Sequence, residues 1–486
     1  MTLRSLRVLL PIGASLFLAA CSLGPDYLRP AQATPEAYLQ ASPSGPVWPD
    51  RGWWRGFQSA DLDRMMDDAE AGNFDIQAAI ARVRQADAQV RISGAPLLPT
   101  VTANGQQNWD RTYFGKGSSS RSSIGRSGYI ETRTSQLEAS ISYEVDVWGR
   151  VAALRDASAA SALFSRYDQQ TVALTQVSSV ATTWFTALAY EDRLAVAMRN
   201  LGDAEQILRA ISARSDAGTA SALDVAQQAA LVANIRANIP ALRSNALQQI
   251  NALGVLTGKL PEDIRVNPGT LDTLSLPEVQ PGLPSDLLLR RPDIAAAEAS
   301  MVQANANIRA ARANFYPQIT LTGSGGWQST ALTTLFGPTS ILASAAASAA
   351  QTIFDNGFKG AQFDQNVARY DELVADYRRA VAQAFTDVEN GLTQYRYATE
   401  QEALQRQAVA IAQRAADIAR AQLLGGTSDI VTALQAQNTL FSDLDALSQV
   451  RLSRFLALVN LYKALGGGWT IDQTAVPEKR LFQGVL

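Results

Sequence analysis

The residues able to do chemistry in this chain are few and unusual in type. There is no histidine among the 486 residues and only one cysteine, Cys21. The commonest general base and metal ligand is therefore missing, and no intrachain disulfide can form. The glycine runs Gly323 to Gly326 and Gly466 to Gly468 lack the following Lys-Ser or Lys-Thr of a phosphate loop, so they read as strand or turn glycines. No nucleophile-base pair assembles, and the expectation is a protein that is not an enzyme and binds no cofactor. Two groups of acids stand out. Glu138, Glu144 and Asp146 alternate with apolar residues, whereas Asp224 and Asp429 each follow a glycine-threonine pair, Gly218-Thr219 or Gly426-Thr427.

Cys21 has its own context. Arg4 and Arg7 precede a largely apolar run, Val8 to Ala20, that ends in Leu18-Ala19-Ala20-Cys21. This is an export signal with small residues before the cut. The tetrapeptide resembles a bacterial lipobox, in which the cysteine becomes the first mature residue and carries acyl chains. Ser22 follows instead of the aspartate that retains lipoproteins in the inner membrane, so the expected destination is the outer membrane. Loss of Arg4 and Arg7 takes the formal charge from −3 to −5, and nothing in that balance points to nucleic acid.

The elements that must position these residues are written twice. Asp75-Ile76 and Pro99 recur as Asp293-Ile294 and Pro317; Gly149 and Gly218-Thr219 recur as Gly357 and Gly426-Thr427. The separation between copies shortens between Pro99 and Gly149, where the first copy carries an insert, Asp110 to Arg133, rich in Ser, Gly and Arg. Such an insert is expected to be an exposed loop tip. The duplication divides the chain into a signal peptide (1–20), a lipidated extended segment (21–60), repeat 1 (61–258), an equatorial connector (259–290), repeat 2 (291–466) and a tail (467–486). Pro25, Pro30, Pro35, Pro43, Pro46 and Pro49 mark the extended segment as irregular chain.

Each repeat opens with a helix, 61–96 or 291–316, followed by strands at about 98–147 or 317–355. Residues Gln136 to Val147 alternate strictly, with Leu137, Ala139, Ile141, Tyr143, Val145 and Val147 against Gln136, Glu138, Ser140, Ser142, Glu144 and Asp146. That is a strand with one face in oil and one in water. Thr100 to Asn108 is its expected partner. In repeat 2, Gln318 to Phe354 has no charged residue, but Gly323, Gly325, Gly326, Gly337 and Pro338 break it into a second hairpin rather than a membrane helix. Helical runs then occupy 148–258 and 356–466. Leu174, Val177, Ala181, Trp184 and Leu188, and likewise Val367, Tyr370, Val374, Tyr377 and Val381, step by three and four as coiled-coil seams do. At ~1.5 Å per residue, about 65 residues make a rod ~100 Å long before the turn.

Four membrane strands cannot close a barrel, and open edges in lipid are prohibitively costly. Two chains would give about eight strands, whose interior side chains fill; three give about twelve and room for water. The acids at Glu138, Glu144 and Asp146 favour the wet, trimeric version.

Four motifs in fixed order then carry a specific resemblance: Cys21-Ser22-Leu23-Gly24-Pro25-Asp26-Tyr27, Trp53-Trp54, Arg290-Arg291-Pro292-Asp293-Ile294 and Leu461-Tyr462-Lys463-Ala464-Leu465-Gly466-Gly467-Gly468-Trp469. Over residues 18 to 470 the chain resembles the TolC-like outer-membrane efflux factors, in their NodT/OprM-type lipoprotein branch. The resemblance implies a mainly α fold with membrane β: a homotrimeric 12-stranded β-barrel continuous with a long α-helical periplasmic barrel. It also implies docking to a periplasmic adaptor (membrane fusion protein) and an inner-membrane RND-type, proton-driven pump. By the same resemblance the adaptor contacts the turns Gly218, Thr219, Gly426 and Thr427. The periplasmic aperture falls to Asp224, Val431, Gln435 and Asp429. Gln435 and Gln422 depart from relatives that carry an acid and a base there. A channel for type I protein secretion shares this architecture; a lipid-anchored coiled-coil scaffold without a pore would not need the alternating strand.

Overall fold

In a computed structural model the described residues are 27–31, 34–35, 37–39, 47–114, 128–267, 269–279, 282 and 284–470. Cys21, the signal peptide, most of the first motif and the tail beyond residue 470 lie outside them. Seven helices longer than ten residues are present among these: α1 Ala60–Gly72, α2 Phe74–Gly94, α3 Arg150–Asp216, α4 Ala222–Thr257, α5 Pro292–Ala313, α6 Phe358–Leu424 and α7 Ile430–Ala464. The strands are β1 Thr100–Phe114, β2 Gly128–Glu144, β3 Gln318–Ser329 and β4 Ile341–Ala350. They divide between two units, one built on Arg84–Leu163 and Ala299–Val374, the other on Ala31–Val83, Phe164–Glu298 and Ala375–Leu486.

The first unit holds the sheet. Its order is β1-β2-β3-β4, antiparallel throughout, so both hairpins join one sheet and β1 and β4 are edges. Both strands of the first hairpin reach further than expected. β1 continues through Asp110 to Phe114 and β2 starts at Gly128, so only the middle of the insert lies outside the described residues. The reason is aromatic and β-branched content at both ends of the insert, Tyr113 opposite Tyr129 and Thr112 opposite Ile130, which suits a pleated surface.

The start of α3 is fixed by Asp146. β2 ends at Glu144, so Asp146 is not a strand residue as its alternation predicted. Its carboxylate instead accepts from the amides of Val151 (3.0 Å) and Ala152 (2.7 Å), which the first turn of a helix leaves unpaired. Asp355 does the same for α6, accepting from Gly357 and Lys359.

In the second unit the expected helix 61–96 breaks in two at Asn73. Its amide donates to the carbonyl of Leu256 (2.8 Å) while its Oδ1 accepts from the amides of Asp75 and Ile76, ending α1 and capping α2. An asparagine that satisfies backbone groups better than the helix would is a natural break point. The core of this unit is aromatic: Trp53 stacks on Tyr462 at 4.7 Å, and Phe57, Phe185 and Phe455 meet with ring centres 4.8 to 5.8 Å apart.

Candidate functional site

Three places collect the polar residues singled out by the sequence: the faces of the sheet, the ends of the long helices, and the region around Arg291.

Strand register fixes the two faces of the sheet. Val101, Ile141 and Gly323 lie in one row, Gly105, Leu137, Trp327 and Ile341 in another, and Tyr143 pairs with Leu321. On the opposite face Asn104 pairs with Glu138, Thr102 with Ser140, and Ser142 with both Thr100 and Thr322. The apolar face is accessible, with Val101 68% exposed and Ile141 43%, and so is the polar face, where Thr102, Asn104 and Ser142 are exposed. A sheet with one apolar and one polar face, the apolar one left open by the chain, is what a lipid-facing surface requires. On the polar face Glu138 accepts from Gln136, and Glu144 forms a two-pronged pair with Arg150 (3.0 and 2.7 Å).

The helix ends repeat one device. Gly218 and Gly426 both have φ of 75°, where a side chain strains the backbone. The amide of Thr219 donates to the carbonyl of Arg214 (2.8 Å) and that of Gly218 to Ser215, while Thr427 and Gly426 donate to Gln422 and Leu423. These are Schellman closures, which satisfy the carbonyls that a helix end leaves open. The Arg214 guanidinium also donates to the carbonyl of Leu423 (2.9 Å), tying the two turns together and placing a cation at the negative end of α6. Ile207, Ile211, Ala419, Leu423, Ile430 and Ala433 pack behind them.

Both aspartates beyond the turns are held. Asp224 completes a capping box: its carboxylate accepts from the Ser221 amide (2.9 Å) and its own amide donates to the Ser221 hydroxyl (3.1 Å). Asp429 is the N-cap of α7. Hydrogen bonds from Thr432, its backbone amide first, hold its carboxyl below the usual range. Val431 and Gln435 are exposed one turn apart on α7.

Three of the four motifs, all but the first, meet around Arg291. Its buried guanidinium pairs with Asp293 (2.6 Å) and Asp387 (3.0 Å) and donates to the carbonyl of Ala464. Burial works against its charge, but these carboxylates outweigh it and raise its pKa. A Cβ on Gly466 would fall 1.8 Å from the carbonyl of Arg290, and one on Gly468 2.1 Å from the backbone of Asp50. Trp53 and Tyr462 complete the contact. These three motifs are therefore a clasp that holds the unit shut.

A second clasp had almost no signature in the sequence. Glu402, whose side chain is 3% exposed, accepts from Arg406 (2.8 Å), Arg454 (3.0 Å) and Arg451 (3.3 Å). Asp272 pairs with Arg451 (2.8 Å) and bridges to the connector. Burial pushes the Glu402 carboxyl up, and the three arginines outweigh burial and bring it below its ordinary value. Only the Glu402–Arg406 spacing was visible in the sequence as a helix pair.

Comparison with known proteins agrees with this geometry. Residues 65–259 and 283–467 match the family described as Outer membrane efflux protein. The chain is 38% identical over 479 residues to the pyoverdine export outer membrane protein OpmQ of Pseudomonas aeruginosa, covering 98% of this chain and 100% of that protein. It is 30% identical over 469 residues to the cation efflux system protein CusC of Escherichia coli, covering 95% of this chain and 98% of that one. The outer-membrane channel OprN superposes with a TM-score of 0.84 at 25% identity, over 92% of this chain and 100% of that chain. This chain belongs to the outer membrane efflux protein family.

Proposed function

We propose that the protein is the outer-membrane exit duct of a tripartite, proton-driven efflux system for small molecules. In this reading three copies close a twelve-stranded barrel by pairing β1 of one chain with β4 of the next. The observation that carries it is the sheet: an accessible apolar face, a polar face behind it, and two unpaired edges among the described residues. Glu138 and Glu144 then face the water-filled lumen; Asp146, committed to α3, is not among the lumen residues. The long helices form the periplasmic conduit, with Gly218, Thr219, Gly426 and Thr427 as the adaptor-contacting tips. Asp224, Asp429, Val431 and Gln435 line the aperture. Cys21 carries the acyl chains that anchor the chain to the outer membrane.

The relatives named for pyoverdine export and for cation efflux are both similar along nearly the whole chain, so the duct is general and the inner-membrane pump selects the cargo. No catalytic step is assigned to the duct.

Native mass spectrometry in detergent tests the assembly, with three chains expected. Planar bilayers test the pore, with a cation-preferring conductance expected from the lumen carboxylates. A stable monomer overturns the duct; an anion-preferring pore leaves the trimer standing and overturns the lumen assignment. Mass spectrometry of the mature N-terminus tests the anchor, and an unmodified Cys21 refutes it.

A further inference from the structure

The first hairpin carries a feature that transport through a duct does not require. On the same face as the accessible apolar residues, register places Trp109 opposite Arg133, Arg111 opposite Glu131 and Tyr113 opposite Tyr129. The Arg111 guanidinium lies over the Tyr129 ring at 4.5 Å and the Trp109 ring at 5.5 Å, and that of Arg133 over Trp109 at 5.6 Å. Glu131 accepts from Arg111 (3.1 Å) and Arg133 (2.7 Å), so one carboxylate faces two cations and the cluster keeps a net positive charge. Arg133 is 64% exposed at its side chain and Trp109 63% exposed.

Position along the strands decides what such a cluster can meet. The apolar rows run on β3 from Ile319 to Trp327, about 27 Å of strand, which at a tilt near 40° is about 21 Å of height against an apolar band about 25 Å tall. One polar row, Gln107, Ser135 and Ser329, follows. The Trp109, Arg133, Arg111 and Tyr129 cluster stands directly beyond it, at the depth of lipid headgroups. It is on the side away from Asn104 and Glu138, so cargo moving along the polar face does not reach it.

Charge names the chemistry. The full chain is net −3, yet between Phe114 and Gly128 the sequence carries Lys116, Arg121 and Arg126 and no acid. The second hairpin, from Gln318 to Phe354, has no charged residue at all. A basic, aromatic-flanked patch at one end of an otherwise neutral apolar surface is complementary to an anionic headgroup.

We propose that Arg111 and Arg133, framed by Trp109 and Tyr129, bind the phosphate of an outer-leaflet lipid headgroup, one such site per chain. The proposal rests on the sheet being lipid-facing, and it concerns which lipid adheres there, not whether a pore forms.

The test uses the full-length, delipidated assembly in detergent, titrated under native mass spectrometry with lipid A carrying both phosphates and with the same lipid dephosphorylated. The parent is expected to retain the phosphorylated lipid about tenfold more strongly, and the Arg111→Gln, Arg133→Gln double variant to lose that preference. Raising the salt should shrink the parent's preference without any substitution, which keeps the test available if the variant folds poorly. Equal retention of the two lipids by the parent, or an undiminished preference in the folded variant, overturns the proposal. Displacement of the lipid by millimolar inorganic phosphate also overturns it, in favour of a site for free anions. Bilayer conductance reads the pore separately: a conducting channel with no lipid preference fails only this proposal.

Discussion

The clasp around Arg291 and Gly466 and the turn at Gly218 use the same local geometry and are built to opposite specifications. Gly466 has φ of 86° and Gly218 has φ of 75°. At Gly466 an added Cβ meets the carbonyl of Arg290 at 1.8 Å, whereas at Gly218 nothing lies within 4 Å. The first glycine is required twice over, by backbone conformation and by the chain packed against it. The second is required by conformation alone, and the space around it is open. The difference separates two kinds of constraint: residues fixed by packing inside the chain, and residues held only by the helix end they terminate, which leaves their outer surface available to another molecule.

The largest expected effect breaks the clasp. Gly466→Ala adds a left-handed strain of about 1 to 2 kcal/mol to a backbone overlap worth about 1 to 3 kcal/mol more. Gly218→Ala should incur only the first contribution. Chemical unfolding followed by the helical signal should therefore show a loss at Gly466 that exceeds that at Gly218 by about 1 to 3 kcal/mol. Equal losses would mean that the clasp yields as easily as the turn.

Glu402→Gln comes next, because it leaves Arg406, Arg451 and Arg454 facing an amide in place of a buried carboxylate. Removing one partner of a buried pair costs about 3 to 5 kcal/mol, and the exposure of Arg406 together with the residual hydrogen bonds of an amide brings the expectation toward about 2 kcal/mol. The pH dependence gives an independent reading. The folded pKa lies below the ordinary value of 4.5, so Glu402 contributes its full stability above about pH 4.5. That contribution is lost as pH falls through the depressed folded value. The parent should lose stability more steeply than Glu402→Gln below pH 4.5, and parallel profiles would remove Glu402 from the account.

How much of this was legible in the sequence follows from the range of the interactions. The seams along α3 and α6 and the alternation of Leu137 to Tyr143 are local periodicities, set by residues three, four or two apart, and the structure follows them. Gly218 and Gly426 were legible as turns for the same reason. The end of β2 at Glu144 was not, because alternation continues through Asp146 and Val147 while the helix that follows recruits the Asp146 carboxylate. The break at Asn73 depends on the carbonyl of Leu256, far along the chain. Of the three arginines on Glu402, Arg451 and Arg454 come from a second helix, so no spacing within one helix announces them beside Arg406. Three of the four motifs that carried the family resemblance mark the clasp, which is packing, and the turn at Gly218 beside the candidate aperture lies where packing imposes least.

The smallest expected effects sharpen the comparison at the aperture itself, where cap and gate compete as explanations of Asp224. Its carboxylate is already engaged by the Ser221 amide, so Asp224→Ala should lower stability by about 0.5 to 1 kcal/mol through the capping box alone, whatever happens to conductance. Asp224→Asn separates the two roles. The amide oxygen can still accept from Ser221, which preserves most of the cap, while three negative charges leave the mouth of the proposed trimer. If those carboxylates repel one another in the closed state, their removal changes conductance and its response to divalent cations at nearly unchanged stability. Gln435→Ala should alter stability by less than about 0.5 kcal/mol, being exposed, and conductance less than Asp224→Asn, because an uncharged amide contributes little long-range field. Should Asp224→Asn leave conductance at the parent value while Asp224→Ala costs stability, the aspartate is a helix cap and the aperture is set by other side chains.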